Sequence, residues 1–145
     1  MDSLKYTIIT SQVELKRAFK IRRTVFIEEQ GISASLEMDG NDSSALHMLA
    51  RKNGRAVGTG RVRFTADKQV KLERMAVLKR QRGTGIGKGI VSFFEKECKK
   101  RGIEHITLNA QYSAIDFYKA CGFSETGLPF LEAGIKHIRM DKKLH

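Results

Sequence analysis

The stretch from Leu72 to Gly89, LERMAVLKRQRGTGIGKG, constrains this chain more than any other. The apolar run Met75-Ala76-Val77-Leu78 reads as a strand end, and Lys79, Arg80 and Arg82 make its exit basic. Gly83, Gly85 and Gly87 then alternate before an amphipathic helix begins. A helix start leaves backbone N–H groups without intrahelical partners, and glycine lets a ligand come close to the main chain. Strand, basic turn, glycine loop and helix therefore describe a cradle for a phosphorylated ligand. Two known spacings fail. A P-loop would need glycine where Arg82 stands and Ser or Thr where Gly89 stands, and G-x-G-x-x-G is broken by Lys88 in one frame and Ile90 in the next. What remains is R-x-x-G-x-G, Arg82 to Gly87.

The strand entering this loop carries a phase slip. Val70 and Leu72 sit in even phase, Met75 and Val77 in odd phase. A side-chain period of two cannot hold both pairs on one face without an extra residue near Glu73-Arg74. Either a β-bulge falls there, or the strand end is buried on both faces.

Upstream, residues 4–9 read as a short strand. Ser11 and Glu14 fit the S-x-x-E capping box, and Leu15, Ala18, Phe19, Val25 and Phe26 recur at helical spacing. That spacing predicts a helix to about Gln30, with a break inside it and Gly31 as its stop. Residues 32–44 show no period and read as a loop. Residues 45–52 and 55–65 flank Asn53-Gly54, a two-residue hairpin signal, and Ala66-Asp67-Lys68 turns the chain into a third strand, 70–78. Beyond the glycine loop, Ile86, Ile90, Phe93, Phe94 and Cys98 mark the buried stripe of a helix that stops at Gly102. Residues 104–110 read as strand, 113–120 as helix, and 123–126 and 136–140 as short strands around a loop holding the only proline, Pro129. A meander followed by β-α-β-α-β-β indicates an α+β (mixed α/β) chain, a mixed sheet with helices on its faces.

At 145 residues and 41% hydrophobic content the chain suits one domain, residues 1–145, with a single core. Nothing in it approaches the roughly 20 apolar residues of a membrane span, and its N-terminus lacks the pattern of a signal peptide. Cys98 and Cys121 fall on apolar helix positions and read as core thiols of a cytoplasmic protein. The net charge of +11 suits nucleic acid, an acidic surface or a phosphorylated cofactor. Yet no Lys or Arg lies between Arg23 and Arg51, while Glu28, Glu29, Glu37, Asp39 and Asp42 do. Such a distribution points to two ligands of opposite sign.

The R-x-x-G-x-G motif after an apolar strand resembles the acetyl-coenzyme A signature of the GNAT superfamily of N-acetyltransferases. The resemblance covers nearly the whole chain. Leu108-Asn109-Ala110 followed by Ala114-Ile115-Asp116-Phe117-Tyr118-Lys119-Ala120-Cys121-Gly122-Phe123 looks like the family's A-x-x-F-Y-x-x-x-G-F segment. Val25-Phe26-Ile27-Glu28-Glu29-Gln30, with Glu37, Asp39, Asp42 and His47, is similar to a bacterial branch of small stand-alone members, as is Gly134-Ile135-Lys136-His137-Ile138-Arg139-Met140.

This resemblance implies a GNAT-type fold: a mostly antiparallel twisted sheet of roughly six or seven strands, splayed at a β-bulge, with about four helices. It implies acetyl-coenzyme A as co-substrate and a small-molecule primary amine as acceptor. Amides of Arg82, Gly83, Thr84, Gly85, Ile86, Gly87 and Lys88 would bind pyrophosphate, and Met75, Ala76 and Val77 would pair with pantetheine and polarise the thioester. Asn109 would bond the pantetheine arm, and Tyr118 would protonate the departing thiolate. By helical position alone Tyr118 reads as core. Glu73, placed on the Met75/Val77 side, is the first candidate for general base, followed by Glu28 and Glu29, which would line the acceptor wall and hold a cationic amine; the bland alternative for that pair is a solvated helix end. His47 and His137 read as structural hydrogen-bonders without metal-ligand spacing, so no metal is expected. A homodimer fits the family's habit. Two other readings stay open: a catalytically silent acyl-coenzyme A sensor, and a basic nucleic-acid-binding module, for which the core-facing aromatics are poorly placed.

Overall fold

The structure, a computed structural model, describes residues 2–145. Seven strands form one sheet in the order β1-β2-β3-β4-β5-β7-β6. They are β1 Leu4–Ile8, β2 Leu46–Lys52, β3 Arg55–Ala66, β4 Gln69–Val77, β5 His105–Gln111, β6 Ser124–Glu132 and β7 Ile135–Lys143. Neighbours are antiparallel except β4 and β5, which run parallel. Four α-helices, α1 Gln12–Arg22, α2 Ala34–Glu37, α3 Ile86–Lys100 and α4 Ile115–Ala120, flank this mixed, mostly antiparallel sheet, as the expected α+β class requires.

Alternation along the strands divides the core in two. Met48, Val62, Leu72, Leu108 and Met140 pack against Ile86, Ile90 and Phe94 of α3 and Tyr118 of α4. Leu49 and Ala76 point the other way, onto Ala18, Ile21, Val25 and Phe26. Helix α3 sits tight on the sheet because glycines line the contact from both sides: a Cβ on Gly89 of the helix would collide with the Tyr6 ring of β1, and one on Gly60 of β3 would press on Phe94 of the helix and on Met75. Each large apolar side chain buried there contributes about 1.5–3 kcal/mol.

The local signals act as their chemistry dictates. Ser11 Oγ accepts from the Glu14 N–H at 3.2 Å, while Glu14 Oε1 accepts from the Thr10 N–H at 3.1 Å, so the cap holds and the glutamate reaches back one residue before the N-cap. Asn53 and Gly54, at φ +52° and +80°, turn β2 into β3. Helix α1 does not break. It widens into a π-helical stretch, Arg23–Glu29, before Gly31.

Two expectations need correction. The loop at 32–44 contains the short α2 and a 3₁₀ turn, Asp42–Ser44, and is held down by arginines. Pro129 lies in a strand: β6 runs on to Glu132, with its register shifting between Thr126 and Phe130. Proline is tolerated because β6 is the edge of the sheet, where a missing N–H costs no ladder bond.

The bulge is present. The β3–β4 register passes from Arg61↔Glu73 to Thr59↔Ala76, with Arg74 at φ +54° as the extra residue. The insertion returns Met75 and Val77 to the face of Val70 and Leu72, where all four join one cluster. It also corrects the placement of Glu73. Sharing odd number with Met75 and Val77, Glu73 lies before the insertion and so faces the α1 side, opposite to them.

Candidate active site

Strands β4 and β5 pair only from Gln69↔His105 to Leu72↔Leu108. Past the bulge β4 leaves, while β5 continues along β7 as far as Gln111↔His137. The gap is a cleft of ≈ 590 Å³, lined by residues 73–77 on one side, Asn109 and Gln111 on the other, and Val25, Phe26 and Gln30 from the end of the first helix. A second cavity of ≈ 470 Å³ adjoins it over the glycine loop. The two share Met75, Ala76, Val77, Arg82 and Tyr118, so the end of β4 is their common wall.

The glycine loop is built for an anion. Gly85, at φ +89°, precedes α3 in a conformation that side chains resist, and no side chain caps the helix, so its first amides are free to bind a ligand. Thr84 Oγ1 donates to the Gln81 carbonyl at 2.7 Å and closes the loop. Gly83, Gly85, Gly87 and Lys88 line the cavity with Phe117, and a Cβ on Gly87 would already press on that ring. Ile86 turns its side chain into the core and offers only backbone. Arg82 is engaged on two sides: Nε donates to the Val77 carbonyl at 2.8 Å, and the guanidinium holds Glu29 bidentately at 2.6 and 2.8 Å.

The other half of the cleft rests on buried ion pairs. Arg61, fully buried, donates to Asp39, Asp42 and Glu73 at 2.6, 2.8 and 2.5 Å. Arg22 donates to Glu37 and Asp42, Arg74 to Glu37 and Asp39, and Arg63 to Glu73. Burial alone would raise Asp39, Asp42 and Glu73, but hydrogen bonds and charge from these arginines outweigh it and hold all three below the usual carboxylate range. Apart from the exposed Glu28, the acidic segment is thus answered inside the molecule, and no second ligand is needed to account for it.

That arrangement relocates several expected roles. Glu73 lines the cleft but is held by Arg61 and Arg63, which suits an anchor better than a proton acceptor. Glu28 and Glu29 do not line it; Glu28 is exposed and Glu29 is the partner of Arg82. The next residue, Gln30, does reach the cleft and accepts from Gln111 Nε2 at 2.9 Å. Asn109 lines the cleft and donates to Glu132 at 3.3 Å. Tyr118 lines both cavities, its ring edge-on to Phe117 and Phe123, and burial pushes its phenol well above the ordinary value. His47 bonds the Asp42 carbonyl and is structural, whereas His137 also faces the cleft. Cys98 is buried, its thiol pushed up to about 11 by that burial, and has no place in the site. Gln111, Glu132 and His137 were not legible as site residues; G-I-x-H was the one signal near them.

Known proteins share this architecture. Residues 10–144 match the acetyltransferase (GNAT) domain. The chain is 37% identical over 140 residues to the uncharacterized N-acetyltransferase YjcF of Bacillus subtilis, covering 96% of this chain and 99% of that one. A crystal structure of an N-acetyltransferase candidate from Lactobacillus plantarum superposes with a TM-score of 0.92 at 28% identity, covering 99% of each chain. An aminoglycoside 6'-N-acetyltransferase complexed with coenzyme A has the same fold at TM-score 0.81 and 16% identity, covering 97% of each. Among the described residues no helix is long and apolar enough to cross a membrane.

Proposed function

This chain belongs to the GNAT acetyltransferases, a family of acyltransferase enzymes, and from that premise we propose that it moves acetyl from acetyl-coenzyme A to a primary amine of a small cationic acceptor. The nitrogen attacks the thioester directly while both substrates are bound. The observation that carries the reading is the splayed end of β4, where one strand supplies the bulge, the wall shared by both cavities and the entry to the glycine loop. The residues present fit the donor. Free amides at the start of α3, with Lys88 and Arg82 beside them, suit a pyrophosphate, and the unpaired edge beyond Leu72 suits a thin arm laid down in strand fashion. When bound, acetyl-coenzyme A supplies an activated acyl carbon.

The chain supplies the proton chemistry. Tyr118 lines both cavities and is kept protonated by burial, which supports it as the group that gives the departing thiolate its proton. The edge of β4 beyond Leu72 has no β5 partner, and the backbone N–H groups along Met75 to Val77 that face this gap would serve as donors toward a carbonyl oxygen. The test is a thiol-release screen of primary amines with acetyl-coenzyme A. Amine-dependent release is expected, with kcat lowered roughly 100-fold in Tyr118→Phe. Tight coenzyme A binding without release for any amine would overturn the enzyme reading and leave a sensor.

A further inference from the structure

The β6–β7 hairpin brings to the cleft two groups that the roles above leave unused. Glu132 ends β6, His137 stands on β7 beside Gln111, and both line the cleft. His137 is only 6% exposed. Its Nδ1 lies 2.6 Å from the Ile135 carbonyl, which can only accept, so the neutral ring carries its proton on Nδ1 and leaves the Nε2 lone pair free. Among the described residues Nε2 makes no hydrogen bond; Glu132 Oε2 stands 3.6 Å from it. Phe130 stacks on the ring and fixes its plane. The cleft's acids are Glu37, Asp39, Glu73 and Glu132. The first three are bound by arginine, and Glu132 alone has no Arg or Lys partner among the described residues. Among the described residues its carboxylate accepts from Asn109 alone, and it is half exposed.

We propose that this hairpin is the amine end of the site: Glu132 binds the acceptor's ammonium group, and His137 Nε2 takes the proton that must leave before the nitrogen can attack. The inference rests on the acetyl-transfer reading and deepens it by naming the carboxylate that meets the cationic acceptor and a histidine as base. The protons balance. The ammonium gives one proton to Nε2 and becomes a neutral amine, whose lone pair forms the C–N bond as the C–S bond breaks. The thiolate takes the proton of Tyr118, the nitrogen's second proton returns to the Tyr118 oxygen, and His137 sheds its own to solvent.

The test titrates 1,4-diaminobutane calorimetrically into coenzyme A-saturated protein, then measures turnover with acetyl-coenzyme A. Asparagine at 137 retains a donor for the Ile135 carbonyl, and melting temperatures check that each variant folds. Wild type should bind the diamine, and Glu132→Gln should bind it roughly tenfold or more weakly. His137→Asn should bind within about threefold of wild type yet lose roughly 100-fold in kcat. That loss should shrink to under about tenfold with hydroxylamine, whose nitrogen is largely neutral near pH 7 and needs no base before attack. No diamine binding by wild type, or equal binding by Glu132→Gln, overturns the ammonium site. An equal loss with both acceptors overturns His137 as base. Diamine binding without thiol release would contradict acetyl transfer and uphold the ammonium site.

Discussion

The two halves of the cleft are made of different material. One wall is main chain: an inserted residue at Arg74, a strand edge that stops pairing after Leu72, and glycines before α3. The opposite wall is side chain: Arg22, Glu37, Asp39, Asp42, Arg61, Glu73 and Arg74, drawn from α1, the segment after it, β3 and β4, and joined in one ionic network. The first offers backbone groups to whatever lies against it. The second spends its charges on itself, and so fixes a wall without leaving a free charge in the cleft. Under the proposed function, backbone geometry would meet the donor, while the ionic wall would only shape the cleft and leave the acceptor to the few open groups of the β6–β7 hairpin.

Damage to the two halves should therefore read out differently. Arg61→Met leaves Asp39, Asp42 and Glu73 without their shared cation and should lower unfolding free energy by about 3–5 kcal/mol, measured by denaturant titration. Acid should probe the same network. The folded-state values of these three acids lie below their unfolded ones, so their stabilisation is present above about pH 4 and is lost as pH falls through the folded values. Unfolding titrations from neutral pH downward should show a decline below about pH 4 that is shallower in Arg61→Met. A decline of equal steepness in both proteins would mean that the network does not hold the wall.

Gly85→Asp should act on the other half. A side chain at φ +89° costs about 1–2 kcal/mol, and its carboxylate opposes a phosphate, so coenzyme A affinity should fall roughly 100-fold while most stability remains. Unchanged affinity would mean that the cradle lies elsewhere. The smallest effect belongs to the contact between the halves. Glu29→Gln removes a partly exposed pair, in which hydrogen bonds from Arg82 hold the carboxyl below its usual range. It should change stability by less than about 1 kcal/mol and coenzyme A affinity by no more than about threefold.

The same division explains what could be read in the sequence. The phase slip between Leu72 and Met75, the capping box at Ser11 and Glu14, Asn53-Gly54 and R-x-x-G-x-G are each complete within a few residues, and each lies where its chemistry put it. The network was not legible because its partners are far apart in the chain. Glu28 and Glu29 looked like an acceptor wall because nothing near them showed that Arg82 would claim the second. Pro129 looked like a loop, since a single sequence does not say which strand is an edge; the longer β6 that results is what delivers Glu132 to the side of His137 on β7. Glu73 was placed by parity, and the bulge read from that same parity turned it to the other face.

The measurement that tests the central claim most directly is an amide chemical-shift titration of the protein with coenzyme A. Donor binding by main chain predicts that the largest shifts fall on Met75 to Val77 and Gly83 to Lys88, with Asp39, Asp42 and Arg61 nearly still. Large shifts centred on the ionic network, with the glycine loop unmoved, would contradict it.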